Sequence, residues 1–370
     1  MQFTLKQTDL ARATPSLERS ISAKSPSPAL ASVFIEAKDA TVSLAATDLE
    51  ISLRMTIPAD VTEPGQALLP ARYFNALVQS APSNAEITVR TASGQDSTEI
   101  SWSNSQYVLH GYNPQDFPRL PEPPTDNSFE VKQNGFRELI SHVSFALAKD
   151  DSRPILTGAY LHSVGGDLAL AATDGYRVAF CSLPAAGLPE LVPMVVPGRA
   201  LAELGRLLDQ SDTPVAVHAA PNLVYVRGPN FDFSSRLIEG TFPNYRQVVP
   251  KEVVARVVVD KESLLVTCNR AAFLQAHDPV PVIRLSLGSD GLVAQFTTSE
   301  DHRGVERLLA SLEGSSMQVA FNARYLADAL RQIEAAQAEI ELSGPISACR
   351  IHGYQQENFY VVMLPLRLQG

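Results

Sequence analysis

Short runs in which apolar and polar residues alternate recur along the whole chain. In its first third, "LRMTIPADV", "AEITVRTA", "STEISWSN" and "QYVLHGY" alternate as half-buried antiparallel strands do. Two segments there carry a helical pattern instead, "KQTDLARATPSLERSI" and "LPARYFNALVQSA" (Leu69–Ala81). The second phrase returns as "VPGRALAELGRLL" (Val196–Leu208) and "FNARYLADALRQI" (Phe321–Ile333). In these later versions Leu201, Leu204 and Leu208, and again Leu326, Ala329 and Ile333, are spaced i, i+3, i+7, which predicts one apolar helix face. Strands outnumber helices, so each stretch is expected to be α+β, with its two helices packed on one face of an antiparallel sheet.

The returning phrase sets a period. Arg72, Arg199 and Arg324 are 127 and 125 residues apart. "LAATDLEISL" (Leu44–Leu53) and "LAATDGYRVA" (Leu170–Ala179) place Thr47 and Thr173 at an interval of 126, and a further 125 lands on Thr298 in "AQFTTSEDHR". The openings "FTLKQTDLARAT", "FEVKQNGFRELI" and "VVVDKESLLVTC" align Leu10, Phe136 and Leu264. "DFPRLP" (Asp116–Pro121) and "TFPNYRQVVP" (Thr241–Pro250) align Phe117 with Phe242. This interval exceeds the roughly 20 to 50 residues of a solenoid unit and suits a small domain. "PEPPTDNS" (Pro121–Ser128) and "PKEV" (Pro250–Val253) read as linkers. Three tandem copies are therefore expected, at 1–124, 125–251 and 252–370.

The net charge of −10 speaks against a uniformly basic nucleic-acid binder but leaves the distribution open. Arg199 and Arg206 share a helix face, as do Arg324 and Arg331; the first copy keeps Arg72 but has Gln79 seven residues on. On any one helix such arginines are ordinary solvated residues. On equivalent helices of three copies they would form a basic stripe along the concave side of a curved array. Such a stripe suits a phosphate backbone and reads no base sequence.

Nothing in the chain resembles a signal peptide or an apolar run of 18 residues, so a cytoplasmic protein is expected. Cys181, Cys268 and Cys349 are too far apart for a zinc cluster, and as three they make no disulfide framework. Phosphate-loop, nucleophile-elbow and zinc-protease motifs are missing, and the seven histidines show no metal-ligand spacing. Asp48 and Asp174 follow a strand and precede a turn, where Asp commonly caps backbone groups. The reading is of a non-enzyme with no catalytic residue, metal or cofactor.

"FALAKDDSRPILTGAYL" (Phe145–Leu161), "AATDGYRVA", "EGTFPNYRQVVP", "FNARYLADAL" and "YVVMLPLRL" (Tyr360–Leu368), in this order, resemble the bacterial DNA polymerase III β subunit family, the replication sliding clamps. The resemblance spans the whole chain. It implies a head-to-tail homodimer in which two three-domain chains close a ring, with helices lining the hole and sheets outside. Such a ring encircles duplex DNA without sequence specificity and tethers the replicative polymerase. Lys24, Arg72, Lys149, Arg199, Arg206, Arg270, Arg324 and Arg331 would face the DNA, Lys24 by matching a basic position of the family.

The resemblance also implies a pocket for a short linear motif shared by polymerases, the ATP-driven clamp loader and repair proteins. Its positions here are Arg153, Leu156, Thr173, Gly175, Tyr176, Arg177 and Val178, then Pro243 and Val248, then Val362, Met363, Leu364, Pro365, Leu366 and Arg367. Tyr176 stands where the family often has His, Gln247 at a position often basic, and "TTSEDHRGVER" departs from family phrasing. Phe273 and Leu274 match a segment that packs against the other chain, although core positions fit them equally. The alternative is a three-domain peptide-binding scaffold that does not enclose DNA. The repeated arginine pair separates the two readings, since a scaffold has no need of it.

Overall fold

The computed structural model describes residues 1–21, 27–92, 96–123, 128–185, 188, 190–288 and 291–367. Its six helices among these residues are α1 (Gln7–Arg19), α2 (Ala71–Ser80), α3 (Gln133–Ser144), α4 (Gly198–Leu207), α5 (Lys261–Leu274) and α6 (Ala323–Arg331). The chain divides into two compact units, Met1–Arg137 with Arg199–Leu237, and Glu138–Gly198 with Ile238–Gly370. The middle copy is thus shared between them.

The first unit holds two antiparallel sheets. A five-stranded sheet runs Asp60–Glu63, Gln2–Lys6, Glu86–Thr91, Ser97–Trp102, Ser105–His110. An eight-stranded sheet runs Ser128–Lys132, Pro214–Ala220, Leu223–Arg227, Phe231–Arg236, Ile51–Pro58, Thr41–Thr47, Ser32–Lys38, Gly65–Pro70. Its halves come from different copies, and Phe233 opposite Leu53 lies in the seam. The second unit repeats this plan. Nine strands run Met194–Pro197, Gly158–Val164, Asp167–Thr173, Arg177–Pro184, Phe359–Met363, Cys349–Gly353, Gln337–Leu342, Ala255–Asp260, Ala310–Gly314. Here the seam pairs Val178 with Val362. A four-stranded sheet runs Arg303–Leu308, Gly291–Thr297, Val282–Gly288, Met317–Asn322.

Alternation in the sequence becomes alternation in burial. Thr98, Ile100 and Trp102 point inward from one strand while Ser97, Glu99 and Ser101 do not. Leu201, Leu204 and Leu208, and Leu326, Ala329 and Ile333, are all buried, so each helical stripe faces its core. In the first unit α1 packs on α2, and in the second α5 packs on α6.

The repeat also extends to individual contacts. Phe117 stacks on Phe34 at 5.1 Å and Phe242 stacks on Tyr160 at 5.1 Å, the same pair one period apart. Asp48 accepts hydrogen bonds from the backbone N–H groups of Glu50 and Ile51, and Asp174 from those of Tyr176 and Arg177. The local capping role expected of both aspartates is the one they have. All three cysteines are buried, and burial pushes the Cys181 and Cys349 thiols up to about 12, leaving them unreactive as thiolates at neutral pH.

Candidate peptide pocket, basic helices and free strand edges

The second unit brings most of the expected pocket residues together. Leu156, Val178 and Val362 belong to one buried cluster with Phe180, Phe242 and Tyr245. All three are buried in the core of the second unit rather than forming an exposed wall. Around it Arg153, Gly175, Tyr176, Pro243, Val248, Leu364 and Arg367 are exposed, Tyr176 by 64% and Leu364 by 49%. Met363 and Pro365 are buried and Leu366 is half-buried. The strand Phe359–Met363 ends just before Pro365, which has no N–H to donate. The tail is then held by two backbone bonds, Leu364 N–H to Tyr176 O (3.2 Å) and Leu366 N–H to Ala320 O (2.7 Å).

Gly175 is required locally. Its φ is +92°, and a Cβ there would come within 2.6 Å of the Arg153 guanidinium. Thr173 is buried, donates to Arg177 O at 2.7 Å and accepts from Gly175 N–H at 3.0 Å, which closes the turn.

Arg177 takes a different place from that of a solvent-facing specificity group. It is 5% exposed. Nε donates to Asp174 Oδ2 (3.1 Å), Nη1 to Asp328 Oδ2 (2.9 Å) and Nη2 to Phe145 O (2.6 Å). Its guanidinium also lies 4.1 Å from the Tyr325 ring centroid and 4.9 Å from that of Phe145. With each of its three nitrogens donating, this fork is a strut tying the Thr173–Arg177 turn to α6. Sequence reasoning missed Asp328, Tyr325 and Phe145, and the aromatic support of buried Phe180 and Tyr245 and half-buried Tyr360.

A cavity of about 350 Å³ that shares Phe242 and Tyr245 with the buried cluster is lined by Tyr160, His162, Glu190, Pro243 and Arg246 among others. His162 Nδ1 lies 3.3 Å from Tyr160 O and Nε2 2.9 Å from the Tyr245 hydroxyl. A carbonyl can only accept, so Nδ1 carries the proton and Nε2 accepts from tyrosine. Burial pulls the His162 pKa down to about 4. The folded chain therefore resists a proton that the unfolded chain takes up near 6.5. Stability present above pH 6.5 is expected to fall between about pH 6.5 and 4, by up to about 1.4 kcal/mol per pH unit from this group. Urea denaturation of the wild type and of His162→Gln across that range checks this. The difference between their midpoints should change with pH; a constant difference excludes the effect.

Of the expected basic face, Lys24 lies outside the described residues. Arg72, Lys149, Arg199, Arg206, Arg270, Arg324 and Arg331 are all exposed. Four of these are already engaged. Arg199 pairs with Asp48, Arg206 with Glu203 (2.5 Å), Arg270 with Glu306 (3.0 Å) and Arg331 with Asp328 (2.7 Å). Arg72 and Lys149 have no ion pair among the described residues.

Phe273 and Leu274, at the end of α5, are 78% and 52% exposed, so within one chain they are not core. Two strands bordering sheets also present apolar side chains, Tyr107 and Val108 on Ser105–His110 and Val305 on Arg303–Leu308.

Three tandem α+β copies fused through their sheets define the DNA-clamp class of fold, and comparison with known proteins agrees along the whole chain. Family models of the DNA polymerase III beta subunit match in order: its N-terminal domain at residues 1–121, its central domain at 130–244 and its C-terminal domain at 246–367. The beta sliding clamps of Staphylococcus epidermidis and Staphylococcus aureus are each 28% identical over 99% of both chains. Among solved structures, the Pseudomonas aeruginosa clamp bound to griselimycin is 30% identical with a TM-score of 0.94, covering all of both chains. The Bacillus subtilis clamp is 25% identical at the same TM-score and coverage. The chain belongs to the DNA polymerase III beta subunit family. It is a DNA sliding clamp, a processivity factor without catalytic activity of its own.

Proposed function

We propose that two copies of this chain associate head to tail into a closed ring around duplex DNA. The observation that carries this reading is the pattern of sheet seams. The strand after the first Thr-Asp turn, Ile51–Pro58, pairs with the last strand of the second copy, Phe231–Arg236. The strand after the second such turn, Arg177–Pro184, pairs with the last strand of the third copy, Phe359–Met363. By the same rule Arg303–Leu308 of the third copy calls for the last strand of a first copy, Ser105–His110. Among the described residues of one chain both end their sheets unpaired. A second chain supplies each partner, with Phe273, Leu274, Val305, Tyr107 and Val108 as apolar filling. An unpaired edge is a template for such addition.

In this reading the domains divide near residues 124 and 251. Lys24, Arg72, Lys149, Arg199, Arg206, Arg270, Arg324 and Arg331 face the DNA and read no sequence. The apolar floor of Leu156, Val178 and Val362 receives a short motif from the replicative polymerase, the ATP-driven clamp loader and repair proteins. Thr173, Arg177, Met363 and Pro365 hold that floor in place. Arg153, Gly175, Tyr176, Pro243, Val248, Leu364, Leu366 and Arg367 form its rim and tail. An apolar cleft with a few polar groups suits such a ligand. The site of action is the cytoplasm.

The test is retention on nicked circular DNA after loading by a cognate ATP-driven loader. Protein that stays on the circle at high salt and is lost once the circle is cut is held topologically, as expected. Retention indifferent to cutting, and falling only with ionic strength, would favour the scaffold that does not enclose DNA.

A further inference from the structure

Away from the pocket and helices, one face of the nine-stranded sheet gathers Glu339, Glu341 and His352. The register places Glu339 opposite His352 on neighbouring strands, and Glu341 two residues along on the same face. One donor atom from each lies within 4.8 Å of the others. Both carboxylates are nearly buried, with side chains 13% and 12% exposed. They are poorly satisfied for buried anions. Arg256 Nε reaches Glu341 at 3.3 Å and Glu339 at 3.7 Å, and Arg350 Nη1 reaches Glu341 at 3.6 Å. Charge-assisted bonds ordinarily close to about 2.7–2.9 Å.

His352 provides the second, independent observation. The residue is 6% exposed, and its Nδ1 lies 2.9 Å from Gly353 O, so Nδ1 carries the proton. In the neutral ring its buried Nε2 then presents a lone pair; it has no hydrogen-bond partner among the described residues and lies 3.9 Å from Glu341 Oε2. A lone pair aimed at carboxylate oxygens is electrostatically unfavourable until a cation sits between them. A backbone bond to the other ring nitrogen is the usual way a ligating imidazole is oriented.

We propose that Glu339, Glu341 and His352 bind a divalent transition-metal ion, with Zn²⁺ fitting the donor set. One imidazole nitrogen and two carboxylates suit a borderline cation, with water completing its coordination. Mg²⁺ and Ca²⁺ prefer oxygen alone. Arg256, half exposed, stands at the carboxylates as a competing charge and swings outward when the ion enters. The ion ties Gln337–Leu342 to Cys349–Gly353, the strand beside Phe359–Met363.

Calorimetric titration of the chelator-treated full chain with Zn²⁺ tests this, with Mg²⁺ in excess throughout. Saturable binding of one ion per chain is expected, together with a shift of the His352 side-chain nitrogen resonances. Glu341→Gln and His352→Gln should each weaken binding at least about tenfold, and Arg256→Gln should tighten it. If Glu341→Gln fails to fold, Glu339→Gln serves in its place. Absence of saturable binding, an affinity indifferent to both ligand substitutions, or weaker binding in Arg256→Gln would overturn the assignment.

Discussion

Arg177→Ala is expected to destabilise the second unit by about 3 kcal/mol and to abolish capture of a motif peptide. Removing one member of a buried ion pair typically costs about 3–5 kcal/mol, because the partner stays behind unpaired. The lower end applies here. Asp174 would keep its two backbone N–H donors, and Asp328 would keep Arg331. Phe145 O would lose its guanidinium donor, and the Tyr325 and Phe145 rings their cation. Lysine at this position restores charge but not the three-way fork, so Arg177→Lys should fall between alanine and wild type. Urea midpoints, with anisotropy of a labelled motif peptide, check both parts. An unchanged midpoint would mean that the strut is not under load.

The second large effect is expected at the proposed contact between chains. Phe273→Asp with Leu274→Asp should raise the dimer dissociation constant at least about a thousandfold and end retention on circular DNA. Fully burying a large apolar side chain is worth about 1.5–3 kcal/mol, and about 4.1 kcal/mol corresponds to a thousandfold. Since both side chains are exposed in the single chain, the melting temperature of the monomer should hardly move. Sedimentation velocity with thermal melting separates the two effects. A variant that remains dimeric would place the contact elsewhere; one that melts early would make the pair core after all.

Features that repeat, or that act within a few residues, were legible in the sequence. The three copies, the inward stripes of α4 and α6, the capping by Asp48 and Asp174 and the strand end before Pro365 all follow from short-range pattern. What pairs with what across long separations was not. Periodicity marks Ile51–Pro58 as a strand but does not say that it continues into Phe231–Arg236 of another copy. Arg177 could be named for the pocket, yet its burial depends on Asp328, 151 residues away, with Tyr325 on the same helix. Asp48 and Glu306, the partners of Arg199 and Arg270, were equally hidden, since each sits on another element and the charge total counts it without locating it. Glu203 and Asp328, by contrast, stand three residues before Arg206 and Arg331 on the same helices, a spacing the sequence does show.

Those pairs bear on how the clamp moves. If the arginines face the duplex as proposed, one held by Asp48, Glu203, Glu306 or Asp328 would meet a passing phosphate by loosening its own carboxylate. The exchange of one anion for another nearly cancels, so no position along the duplex is a deep well. A track of bare arginines would grip, whereas arginines so paired would act as a lubricated bearing, with friction set by small differences between competing partners.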